Sequence, residues 1–203
     1  FPEAGRGLLM DPTIMVYGVH RGEGTSTAPP MAVGSYDDTH GFILSHLIDP
    51  WLLFPIVMAR KGLSYPLRWI HYGKMLGIMV KVKDEISGGI TVEGRISKPM
   101  TERDRNRLNH GAILSRQILV KAGCSPDSIF VTPIRGTHPS GTVRIGEMLD
   151  TDLRTEVPNL FVCDASVFPE ALDRPIVLTV IGLAKRLSAH LLDEAGGKSK
   201  LQS

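Results

Sequence analysis

Two stretches decide how this chain is read: Gly136-Thr137-His138-Pro139-Ser140-Gly141-Thr142-Val143-Arg144-Ile145-Gly146 and Asn159-Leu160-Phe161-Val162-Cys163-Asp164-Ala165-Ser166-Val167-Phe168-Pro169. The first puts a histidine in a glycine-flanked loop. The second ends a short apolar run on an aspartate, and a helical pattern starting near Thr179 follows within a few residues. The run Leu160-Phe161-Val162-Cys163 has the composition of a strand buried in a sheet. An imidazole with a pKa near neutrality can take a proton, and a helix start offers an anion-stabilising dipole. The arrangement is therefore suited to acid–base work on one ligand.

The same stretches resemble the C-terminal signature of the glucose-methanol-choline (GMC) oxidoreductases, which oxidise alcohols with a flavin. His138-Pro139-Ser140-Gly141-Thr142 matches the family's H-x-x-G-T loop, and Asp164-Ala165-Ser166 matches its D-A-S turn. The lead-in Gly5-Arg6-Gly7-Leu8-Leu9-Met10-Asp11-Pro12 is similar to the family's G-x-G-x-x-L segment. The resemblance implies FAD as cofactor and a small alcohol-type substrate, with His138 facing the flavin ring as proton acceptor. It also implies cofactor contacts from Gly141, Thr142, Asp164 and Ala165, and from Pro175 and Thr179 at the start of the last helix. One departure is plain: where the family places a second catalytic histidine or asparagine, this chain has Asp173-Arg174-Pro175. Arg174 can stabilise an alkoxide or a reduced flavin, but it cannot act as a base at ordinary pH.

Each of these residues also has a plainer use. His138 can bond a neighbouring carbonyl, Asp164 can cap its own turn, and Gly141 and Thr142 can form an ordinary turn. A degenerate flavoenzyme domain serving as a structural or partner-binding module is thus the alternative to a catalyst. A serine-type hydrolase built on Ser140 and His138 is a poor third reading, because no G-x-S-x-G elbow is present.

The dinucleotide fingerprint G-x-G-x-x-G between a strand and a helix is missing: Gly5-Arg6-Gly7 and Gly22-Glu23-Gly24 lack the third glycine and the flanking elements. The expectation is a C-terminal portion of a longer enzyme whose N-terminal, phosphate-gripping half is absent here, so that this chain alone holds FAD weakly. The organisation expected is residues 1–22 and 135–203 in the FAD-binding lobe and 23–134 as a substrate-binding domain.

The chain of 203 residues, 42% of them hydrophobic, can bury a real core. A formal charge of +2, evenly scattered, gives no nucleic-acid footprint. Cys124 and Cys163 have neither metal spacing nor a disulfide pattern, and a reducing, cytoplasmic setting is the default. His20, His40, His46, His71, His110 and His190 make no metal motif. The apolar segment 41–60 is broken by His46, Asp49, Pro50 and Pro55, whereas a membrane span needs roughly 20 apolar residues in a row.

The elements expected are strands at 13–17, 31–36 and 42–47, then a hairpin of 74–83 with 89–96. A helix opened by Thr101 and stopped by Gly123 should follow, with Leu108, Ile113, Leu114, Ile118 and Leu119 as its apolar face. The last helix should end at Gly196-Gly197. Strands followed by a long helix, without βαβ alternation, make an α+β fold. It is a mostly antiparallel sheet backed by helices, with a C-terminal strand-loop-helix segment.

Overall fold

The computed structural model describes residues 1–172 and 174–200. In chain order it contains β1 (Arg6–Leu8), β2 (Thr13–Val19), β3 (Gly34–Asp37), β4 (Phe42–His46), α1 (Phe54–Ala59), a 3₁₀ segment (Tyr65–Lys74) and β5 (Met75–Val82). Then follow β6 (Ser87–Ile90), β7 (Ile96–Ser97), α2 (Glu102–Lys121), β8 (Phe130–Val131), a 3₁₀ turn (Ala165–Val167) and α3 (Val177–Lys200). The fold is α+β, with antiparallel sheets backed by helices.

The chain forms two compact units. One comprises Phe1–Asp11, Asp84–Thr101 and His138–Ser203, and the other Pro12–Lys83 and Glu102–Thr137. The divisions fall at Asp11, Lys83, Thr101 and Thr137, whereas the sequence suggested cuts after 22 and 134.

The second unit is built on a five-stranded antiparallel sheet in the order β3-β4-β5-β2-β8. Thr13-Ile14-Met15-Val16-Tyr17 is β-branched and apolar, and all five residues are buried in the middle of that sheet. Because side chains alternate across a strand, Met15, Tyr17, Met75 and Met79 share one face. There they pack against Phe54 and Met58 of α1 and against Phe130. Fully burying side chains of this size stabilises by about 1.5–3 kcal/mol each. α2 covers the opposite face with Asp104, Leu108, Gly111, Ser115 and Leu119. That face includes Leu108 and Leu119 as the apolar pattern suggests, but Ile113, Leu114 and Ile118 are substantially exposed. The reason is close approach: a Cβ at Gly111 would run into the Val80 side chain, so small residues let the helix axis come down onto the sheet.

Three further expectations fail. β5 and β6 do not form a hairpin: β5 pairs with β2 and β4, whereas β6 lies between β1 and β7 in a separate three-stranded sheet of the first unit. The buried Asp84 carboxylate is gripped by the Met10 and Asp11 amides and by Lys98, and this pulls the chain away at the point where a hairpin would turn. The run 160–163 is not a sheet strand, because it finds only a single bridge, Arg154 with Phe161, to ladder against. Finally, α3 runs through Gly196 and Gly197 to Lys200, glycines being tolerated in a helix at a modest cost. Among the described residues no helix is long and apolar enough to cross a membrane.

Candidate active site

The loop carrying His138 belongs to the first unit and is fastened there on two sides. Leu9 and Ser140 exchange both backbone hydrogen bonds at 3.0 Å, and the Gly5 amide donates to the Thr142 carbonyl at 2.9 Å. On the other side the amides of Gly141, Val143 and Ile145 donate to the carbonyls of Ala165, Ser166 and Val167 at 3.2, 2.9 and 3.0 Å. Gly141 sits at φ +78°, a left-handed conformation that costs glycine nothing, and any Cβ there would lie 2.8 Å from Leu9 Cδ1. The apolar side of this ladder, including Val143, Val167 and Phe168, packs against Val180, Leu183 and Leu187 of α3.

Arg144 locks the loop to the N-terminal segment. It is almost wholly buried, and its Nη1 donates to the carbonyls of Arg6 at 2.8 Å, Gly7 at 3.4 Å and Gly141 at 2.6 Å. Its remaining nitrogens pair with Glu147, whose carboxyl the guanidinium holds below the usual carboxylate range.

The imidazole of His138 points at Asp11, with Nδ1 2.8 Å from the Asp11 Oδ2. The His138 side chain is 33% exposed and that of Asp11 is 4% exposed. A carboxylate only accepts hydrogen bonds, so Nδ1 carries the proton and Nε2 is the ring's basic nitrogen. Asp11 is held by its neighbours at φ +47°, unusual for a residue with a side chain. The amides of Met10 and Asp11 donate to Asp84 at 3.1 and 3.2 Å, and Lys98 closes on Asp84 at 2.7 Å. Lys98 is itself fixed by the carbonyls of Leu8 and Glu85.

The residues chosen from sequence thus divide. His138, Gly141, Thr142 and Ala165 lie on one hydrogen-bonded ladder, and Asp164 is exposed at its edge, its carboxylate accepting from the Ser166 amide at 2.7 Å. Arg174 and Pro175 are exposed in the turn leading into α3, and Thr179 is exposed in the first turn of that helix; Asp173 lies outside the described residues. Asp11, Asp84, Lys98 and Arg144 were not singled out by sequence. Asp11 stood at the end of the Gly5–Pro12 segment with no role given to it, and Arg144 stood inside the decisive loop without a motif to mark it. Among the described residues there is no cluster that can hold a metal ion. Burial raises both thiols above the ordinary cysteine range, helped at Cys163 by Asp164.

Comparison with known proteins gives this geometry a context. Residues 95–184 match the C-terminal family model described as GMC oxidoreductase. An uncharacterised protein of Methanocaldococcus jannaschii is 35% identical over 118 residues, covering 58% of this chain and 30% of that protein. Two long-chain-alcohol oxidases of Arabidopsis thaliana are 25% and 22% identical, covering 71% and 98% of this chain and 24% and 34% of their own lengths. The chain therefore spans about a quarter to a third of the curated relatives it matches. Among solved structures, an arginine-to-alanine variant of Aspergillus oryzae formate oxidase, studied for its effect on FAD modification, superposes with a TM-score of 0.59 at 16% identity. That superposition covers 95% of this chain and 48% of the oxidase.

Proposed function

We infer that this chain carries the C-terminal part of a GMC oxidoreductase, and from that premise that the complete protein is an FAD-dependent oxidoreductase acting on the CH-OH group of a small alcohol-type substrate. The observation that carries the proposal is the His138–Asp11 pair. An imidazole about one-third exposed is held in one tautomer by a buried carboxylate, on a loop stitched to the segment 165–167. Oxidising an alcohol removes the hydroxyl proton and a hydride from carbon. His138 takes the proton at Nε2 while Asp11 steadies the imidazolium that results. Bound FAD supplies the acceptor for the hydride.

The residues present suit part of that cofactor. Asp164, exposed at the ladder's edge, can accept from cofactor hydroxyls, and small Ala165 beside Gly141 allows a ring to approach the backbone. No glycine-rich loop opening a helix for the pyrophosphate is found among the described residues, so that grip belongs to the rest of the protein. Arg174 and the first turn of α3 offer positive charge to an anionic reduced flavin. Two free thiols accord with a reducing, cytoplasmic compartment.

The test is made on the full-length enzyme. Replacing His138 with alanine lowers turnover by roughly 10²- to 10⁴-fold, the worth of a positioned general base, with FAD content unchanged. Arg174→Ala costs less, because it weakens charge stabilisation without removing the proton acceptor. Wild-type turnover in the His138 variant refutes the assignment. A full-length protein that holds FAD yet oxidises no alcohol supports the non-catalytic module instead.

A further inference from the structure

We infer that the surface formed by residues 51–74 of the second unit is a docking face for a lipid bilayer bearing anionic headgroups. The segment divides its side chains sharply. Phe54 and Met58 are buried, and Val57, Tyr65 and Tyr72 pack partly buried against the same core. The others face outward: Trp51, Leu52, Leu53, Ile56, Leu63, Leu67, Trp69 and Ile70 are all exposed, Leu63 at 96% and Ile70 at 78%. Across α1 and its two caps the outward set falls at 53, 56 and 60, and it ends on the exposed Arg60.

The patch is continuous and has the chemistry of a membrane interface. Trp51 and Trp69 stack on each other at 5.4 Å between ring centroids, with 14° between planes. With Ile70 and Tyr72 they line an open groove of about 480 Å³, and Ile70 also lines a neighbouring groove with Leu67 and Arg68. Between Asp49 and Asp84 the chain has no acidic residue, whereas Arg60, Lys61, Arg68 and Lys74 fall within the patch segment. Arg60, Lys61 and Lys74 are exposed, and Lys61 and Arg68 lie over the Tyr65 ring. Exposed tryptophan and leucine with cations among them is the composition that settles at the headgroup boundary. The segment's four cations outnumber the exposed acids on the loops beside it, Glu23 and Asp127, and that excess complements a negatively charged leaflet. A protein partner with an equally apolar face would not require it. The segments involved, α1 and the 3₁₀ segment, are short, so the face rests on the bilayer and does not span it.

Flotation of the full-length protein with vesicles of phosphatidylcholine alone, and of phosphatidylcholine mixed with phosphatidylglycerol, tests this. Binding is expected on the mixed vesicles and should weaken as salt is raised, with a blue shift of tryptophan emission. Each neutralised cation near the surface should lower partitioning by roughly five-fold, so Arg60→Glu with Lys61→Glu should lower it by roughly 25-fold or more. W51S/W69S should abolish binding while leaving FAD content and the thermal midpoint near those of the wild type, since both side chains are exposed and outside the buried core of their unit. Absence of binding to the mixed vesicles overturns the inference. So does binding that is indifferent to salt or survives W51S/W69S. A wild-type protein that ignores vesicles but loses self-association in W51S/W69S assigns the face to a second copy, and also overturns it.

Discussion

Replacing Asp11 with asparagine isolates one carboxylate oxygen in the proposed proton acceptor. Asparagine has the same shape and tolerates the φ of +47° that Asp11 adopts, and Asp84 grips the backbone amide of residue 11, not its side chain. The loop should therefore stay in place. The change falls on the 2.8 Å bond to His138 Nδ1. A hydrogen bond to an ionised partner is worth about 1.5–3 kcal/mol, or about one to two decades of rate at 1.36 kcal/mol per decade. The amide can also donate to Nδ1, which moves the ring proton to Nε2 and removes the basic atom from the substrate side. Together these effects predict a fall in kcat/KM of about 10²- to 10⁴-fold, with FAD content and thermal midpoint near those of the wild type. Steady-state kinetics on the full-length single variants and on the Asp11→Asn/His138→Ala double variant supply the check. If the pair acts as a unit, the double variant is no slower than His138→Ala alone. Turnover of Asp11→Asn within about threefold of wild type, far inside the range for loss of a general base, or losses that multiply in the double variant, would refute the coupling.

Arg144→Ala leaves three backbone carbonyls without their donor and should cost about 3–5 kcal/mol. This would appear as a fall of about 10 °C or more in calorimetric midpoint, with lysine recovering only part of it; an unchanged midpoint would show that the loop is held elsewhere. Gly141→Ala forces a Cβ against Leu9 in a left-handed conformation and should cost about 1–3 kcal/mol, read by denaturant midpoint. Tyr17, whose hydroxyl bonds Asp49, is pushed well above the ordinary tyrosine range first by burial and then by the Asp49 charge. Being an acid whose folded pKa is raised, it contributes stability that is complete below the unfolded value of about 10 and falls as pH rises past it. Tyr17→Phe should flatten that alkaline loss in a pH series of midpoints, and an unaltered slope would count against it.

What the sequence made legible was local. β2 was readable because five consecutive apolar and β-branched residues leave little alternative, and α2 was bounded by Thr101 and Gly123. The buried face of α2 was only half legible: Leu108 and Leu119 marked it, whereas Asp104, Gly111 and Ser115 also occupy it, and the close approach of Gly111 to Val80 is something no periodicity reports. The supposed hairpin failed for a related reason: the signal at 84–88 looked like a turn, while the physical cause of the departure is an anchor to amides 73 and 74 positions earlier. His138 was found through its motif. Its partner lies 127 residues away, beyond the reach of spacing, and only tertiary structure joins them.

The interleaving of the two units bears on when the acid–base pair comes into being. Both sheets are composed of strands that end by Val131, so on a ribosome, where chains emerge N-terminus first, every strand is available before His138 is. β1 must pair with β6 across more than seventy intervening residues, a slow, long-range closure, and that closure sets Asp11 into its turn against Asp84. The imidazole and its ladder to 165–167 are added afterwards, followed by α3 packing on the ladder's apolar side. The pair is thus closed only after both sheets, over a carboxylate already positioned. A nascent or C-terminally clipped chain can own both sheets and still lack the His138–Asp11 pair, so any activity that depends on the pair, the proposed alcohol oxidation included, requires the C-terminal third as well as the sheets.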